Sequence, residues 1–140
     1  MNSVADPVTE LLDTESLAAS MEAQTDIVAN RMRHVTDMNA RLREARENLE
    51  DTKLNVLSEG YASGRINGKN AEERNAQIAA MLSKSAAYQG AVERQRKAEQ
   101  AFEIAKTEEE IENKRLGTYH SIAHIKGAQL MYAAARGGAY

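Results

Sequence analysis

Two histidines, His120 and His124, stand four residues apart, the spacing that sets two imidazoles on one helix face as metal ligands are set. No glutamate directly follows His120 and no third ligand lies close by, so the pair reads as two polar helix positions rather than a metal site. The run Glu108-Glu109-Glu110-Ile111-Glu112 concentrates carboxylates, yet a cation cage needs oxygens converging from several segments. On one helix these carboxylates are expected to face mostly outward. Glu110 and Lys114 also take the favourable orientation of a solvated pair four residues apart. Gly64 and Gly68 have no strand before them, which a phosphate-cradling loop requires, and read as turn glycines. With Cys 0, disulfides, thiolate zinc sites and a cysteine nucleophile are excluded. The expectation is a chain without enzymatic activity, metal or cofactor.

The basic residues offer binding chemistry instead. Arg43, Arg46 and Lys53 follow one another along a helix, with Arg46 and Lys53 at one heptad position. Arg65, Lys69 and Arg74 cluster around a turn beside Tyr61. Cations that track phosphates, with an aromatic ring to stack a base, hold single-stranded nucleic acid without reading its sequence. Tyr119, His120 and Lys126 are equally able to touch phosphate. The competing reading makes Arg43 and Glu47, and Arg46 and Glu50, solvated intrahelical pairs. Charge is also distributed unevenly along the chain. Asp6, Glu10, Asp13, Glu15, Glu22 and Asp26 precede the first basic residue, Arg31. From Asn113 onward Lys114, Arg115, Lys126 and Arg136 occur with no acid. An acidic head and a basic tail suit end-to-end assembly or a masked anion-binding surface. They equally suit helix macrodipoles.

The elements that must position these residues are helical. The 140 residues fit one domain or one long helical unit. The 24 alanines and many straight-chain charged residues favour helix, while Phe 1, Tyr 5 and Trp 0 leave little for a sheet core. Met21, Val28, Val35, Leu42, Leu49 and Val56 recur every seven residues. Leu17, Met38 and Ala45 fill the companion position, which Gln24, Arg31 and Thr52 interrupt. That pattern predicts a coiled-coil helix with an imperfect seam. Two glycines and an asparagine over residues 63–69 end it. Asn70 then caps a second helix, with Glu73 able to reach back, and Gly117-Thr118 marks a second break. The expected architecture is all-α: an acidic segment 1–13, then one helical domain over 14–140, with helices over about 14–62, 70–116 and 118–136. Asp6-Pro7 allows a short helical turn before them. The result is a long antiparallel hairpin with coiled-coil character plus a C-terminal helix. Its alanine-rich stripe at Ala91, Ala98 and Ala105 buries little area, which predicts a homo-oligomer. No stretch approaches the roughly 18 apolar residues of a membrane span, so a soluble cytoplasmic protein is expected.

Tyr61-Ala-Ser-Gly-Arg65 followed by Gly68-Lys-Asn-Ala-Glu-Glu-Arg74, with a terminal helix in Ile-x-x-Ile form, resembles small helical proteins of phage recombination modules, in particular the UvsY family of recombination mediators. The similarity covers roughly residues 42–135. It implies an all-helical, oligomeric protein of the phage-infected host cytoplasm that binds single-stranded DNA. Such a protein helps load a RecA-like recombinase onto strands covered by single-strand-binding protein. Carried onto this chain, the resemblance implies DNA contacts at Lys53, Tyr61, Arg65, Lys69, Arg74, Lys114, Arg115 and Lys126. Val56, Leu57, Ser58 and Glu59 stand where the family carries basic residues before its tyrosine, and Lys53 is the nearest substitute. The rival reading is a coiled-coil assembly or structural phage protein that acts through protein contacts alone.

Overall fold

A computed structural model describes residues 14–137, which form three helices and no strand. Helix α1 spans Thr14–Ala62, α2 spans Ala71–Lys84 and α3 spans Ala86–Gly137. The all-α expectation holds. The acidic segment and its Asp6-Pro7 turn lie outside the described residues. No helix among those described is long and apolar enough to cross a membrane.

The helix boundaries after α1 differ from the sequence expectation. The chain breaks at Ser85, not at Gly117, so no separate C-terminal helix exists among the described residues; residues 118–136 are the end of the 52-residue α3. Ser85 is extended at φ −77°, ψ 111°. Its N–H donates to Met81 O at 3.1 Å and Leu82 O at 3.2 Å, which closes α2. Its Oγ accepts from the Tyr88 N–H at 3.1 Å, which opens α3, the role serine plays at a helix start. At Gly117 the cap signal is spent differently. Thr118 Oγ1 donates back to Lys114 O at 3.1 Å, a bond a helix interior tolerates. Half-buried Leu116 and Tyr119 carry the buried side of the helix past the glycine.

The described residues fall into two compact units, one of residues 14–34 with 106–137 and one of residues 35–105. In the first, Leu17, Gln24 and Val28 of α1 and Glu112 of α3 are buried. Gln24 meets Glu112, and Arg31 meets Glu108. As α1 ascends α3 descends, so the two segments are antiparallel. The polar interruptions of the α1 seam are thus matched. Gln24 Nε2 donates to Glu112 Oε2 at 2.7 Å and to Glu112 O at 2.9 Å, and Arg31 Nη1 donates to Glu108 Oε2 at 2.9 Å. Within the glutamate run, Glu108 and Glu112 therefore face α1 rather than solvent, which corrects the outward-facing expectation for them.

In the second unit the buried apolar side chains are Met38, Leu42, Ile66, Ala91 and Ala105. The deepest of these, Ala91 and Ala105, are alanines. Each removes little apolar area from water, about 0.8 kcal/mol per methyl-sized group. Arg46 pairs with Glu99 of α3 at 3.4 Å instead of with Glu50 on its own helix. At that length and exposure the pair adds little stability.

Candidate nucleic-acid interface at the turn between α1 and α2

The turn over residues 63–70 lies wholly within the second unit and is built from the end of α1 forward. The Ser63 N–H donates to Glu59 O at 2.9 Å and the Gly64 N–H to Tyr61 O at 3.3 Å. Gly64 then takes φ +74°, the left-handed region that ends helices at glycine. The chain folds back so that the Ile66 N–H reaches Gly60 O at 3.1 Å and the Ile66 side chain is buried. That contact needs a glycine at position 60, where a Cβ would lie 2.6 Å from Ile66 Cδ1 and 2.8 Å from Met81 Sδ.

Helix α2 supplies the rest of the scaffold. Gln77 Oε1 accepts from the N–H groups of Asn67 and Gly68, each at 2.9 Å, while its Nε2 donates to Asn67 Oδ1 at 2.9 Å. Asn70 caps α2 by accepting from the Glu73 N–H at 2.8 Å, as the sequence predicts. Glu73 reaches back one residue further than expected, to the Lys69 N–H at 2.9 Å. Arg74 Nη1 donates to Gly68 O at 3.2 Å.

This network sorts the predicted site residues. Arg74 is half-buried and holds the turn together. Tyr61, Arg65 and Lys69 are exposed, and neither Arg65 nor Lys69 has an ion-pair partner among the described residues. Lys53 is half-buried, two turns before Tyr61. Arg65 also lines an open cleft of about 430 Å³ with Val56, Glu59, Ala80, Met81, Lys84 and Ser85. Lys84 is the cation that the sequence reading missed. It ends α2 at the Ser85 break, which the helical spacing across residues 78–88 conceals. A turn of this kind can hold phosphates at Arg65, Lys69 and Lys84 and stack a base on Tyr61.

The remaining predicted residues lie in the other unit. Lys114 is exposed, Lys126 is half-buried, and Arg115 donates to Glu112 Oε1 at 2.9 Å. His120 and His124 are exposed, and no group of three potential metal ligands occurs among the described residues. On the surface of α3, hydrogen bonding to Arg96 holds the Glu93 carboxyl below its ordinary value, an exposed pair one helical turn apart. No known protein family, curated protein or solved structure matches this chain.

Proposed function

We propose that this chain is a non-enzymatic single-stranded DNA-binding protein of the host cytoplasm that assists loading of a RecA-like recombinase on strands covered by single-strand-binding protein, as the resemblance to phage recombination mediators implies. The observation that carries this reading is the division of labour in the turn. Asn67, Asn70, Glu73, Arg74 and Gln77 are spent on holding the backbone, while Tyr61, Arg65 and Lys69 face solvent. Subunits assemble as a coiled-coil homo-oligomer and present several such turns, so avidity multiplies a weak individual patch. DNA binds through phosphate contacts and weakens as salt rises, each contact adding about 0.7 to the log–log slope for a single strand.

The test is fluorescence anisotropy of a labelled single-stranded oligonucleotide, with a duplex beside it, titrated at several salt concentrations. The comparison is the Arg65→Ala/Lys69→Ala variant. Arg74 is left in place because its loss would disturb the turn itself. Wild type should prefer the single strand, and the variant should bind more weakly with a slope shallower by about 1.4. Unaltered binding by a folded variant would reject the turn as the site.

A second reading is supported by apolar exposure. Ile27 and Ile111 in the first unit, and Leu54 and Ile104 in the second, are each 40–58% exposed. In this reading they are assembly contacts and the partner is protein alone. Absence of DNA binding at low salt, with assembly retained, would decide for it.

A further inference from the structure

Asn67-Gly68 is the one place in the chain where asparagine precedes glycine, and that pair carries a reactivity of its own. The peptide nitrogen of the following residue can attack an asparagine carboxamide, and glycine, with no Cβ, hinders that nitrogen least. A helix suppresses the attack, because it fixes the backbone and keeps the nitrogen hydrogen-bonded. Every other asparagine among the described residues lies inside a helix or, at Asn70, caps one. Asn67 lies in the turn and is exposed to water.

Both reacting groups are nevertheless held, and one side chain holds them. Gln77 Oε1 accepts from the Gly68 N–H at 2.9 Å, and its Nε2 donates to Asn67 Oδ1 at 2.9 Å. The same oxygen accepts from the Asn67 N–H at 2.9 Å. Arg74 Nη1 donates to Gly68 O at 3.2 Å, so the glycine is gripped at both of its polar ends. Taken alone, the bond to Asn67 Oδ1 would polarise the carboxamide and favour attack. The bond from the Gly68 N–H outweighs it. Attack requires that nitrogen to lose its proton, and its lone pair would then face the Gln77 oxygen at hydrogen-bond distance, with the bond lost and nothing in its place.

We propose that Asn67 is a deamidation site guarded by Gln77, which loses its amide only when the turn opens. In the open turn base removes the Gly68 N–H proton and the nitrogen bonds to Asn67 Cγ. The bond from Cγ to the carboxamide nitrogen breaks and ammonia leaves, which closes a five-membered succinimide. Water then cleaves the ring in one of two ways. Breaking the new bond to Cγ gives aspartate. Breaking the original peptide bond gives isoaspartate, with the main chain rerouted through the side chain. Water is the co-reactant, and nothing is oxidised or reduced. Either product adds a negative charge between Arg65 and Lys69 in the chain, which opposes any anion held at the turn. The modification itself stands on the hydrogen bonds around Asn67, whether or not the protein binds DNA.

The full chain is incubated at mildly alkaline pH, folded and in urea, and mass spectrometry follows conversion of amide to acid in the peptide that contains Asn67. Two hydrogen bonds hold the reacting groups, so the folded chain should convert about tenfold to a hundredfold more slowly than the unfolded one. Gln77→Leu should remove most of that difference while circular dichroism shows the helices intact. Gln77→Glu should retain it, because a carboxylate still accepts from the Gly68 N–H and the Asn67 carboxamide can turn its NH2 group toward it. Equal rates folded and unfolded, or a Gln77→Leu rate no faster than wild type, would overturn the guard. Gln77→Glu converting as fast as Gln77→Leu would trace the effect to a loosened α2 and overturn it as well. Absence of conversion in urea would overturn the site.

Discussion

Replacing Gln24 and Glu112 singly and together tests how the two helices of the first unit are matched. Gln24→Leu removes two hydrogen bonds, one of 2.7 Å to the Glu112 carboxylate and one of 2.9 Å to its carbonyl. A bond to a charged group is worth about 1.5–3 kcal/mol and a neutral one about 0.5–1.5 kcal/mol. Arg115 still holds Oε1, but Oε2 is left without its donor at a residue only 8% exposed. A net loss of about 2–3 kcal/mol is expected. Glu112→Leu takes the 2.7 Å carboxylate acceptor from the buried Gln24 amide and leaves it only the 2.9 Å bond to the carbonyl of residue 112, and should cost about 1–3 kcal/mol. The double Leu/Leu variant strands nothing and buries two apolar side chains, each worth about 1.5–3 kcal/mol. Its stability should equal or exceed wild type, because an apolar pair often replaces a buried polar one without loss. Urea unfolding followed by far-UV circular dichroism measures all four proteins, and each kcal/mol should also move the melting temperature by about 3–6 °C. The expected coupling is at least about 2 kcal/mol in favour of the double variant. A double variant as unstable as the sum of the singles would refute the pairing.

Two glycines make opposite predictions. A Cβ on Gly68 would lie 2.7 Å from Glu73 Cβ and 2.8 Å from the Arg74 backbone nitrogen. Gly68→Ala must therefore displace the start of α2 and should cost about 1–3 kcal/mol by denaturant unfolding, with loss of protection at the Asn67 and Gly68 amides; full protection would mean the turn has slack that its geometry denies. A Cβ on Gly117 meets nothing within 4 Å and sits inside a continuous helix, so Gly117→Ala should stabilise by about 0.5–1 kcal/mol. A destabilised Gly117→Ala would mean that α3 needs glycine there.

How far the sequence could be read follows from the range over which each signal acts. The α1 seam at Leu17, Val28, Met38 and Leu42, the turn at Gly64 and the cap at Asn70 are local patterns, and each stands where its spacing puts it. Ser85 was hidden because Ile78, Met81, Leu82 and Tyr88 keep helical spacing across the break, with Ser85 the polar residue in their line. Gly117-Thr118 reads as a stop for the converse reason: a glycine and a capping residue end a helix only if the backbone turns, and with half-buried Leu116 and Tyr119 on either side α3 continues as helix through it. At the candidate site, spacing located Tyr61, Arg65 and Lys69. It could not tell that Arg74 is spent on Gly68 O, or that Lys84 shares a cleft with Arg65.

The largest miss has a different origin, and it explains how this thin seam acquires a register. Gln24 and Arg31 looked like defects in α1, and the glutamate run looked like solvated surface, because each was judged against its own helix. The partners lie 88 and 77 residues away, beyond any local window. Together they form a lock: the one-heptad slip that sets Glu112 opposite Leu17 would leave Gln24 without Glu112 and put a buried carboxylate against an apolar side chain, a penalty of several kcal/mol. The polar interruptions that weaken the stripe are therefore what makes one antiparallel alignment of the first unit more stable than its neighbours.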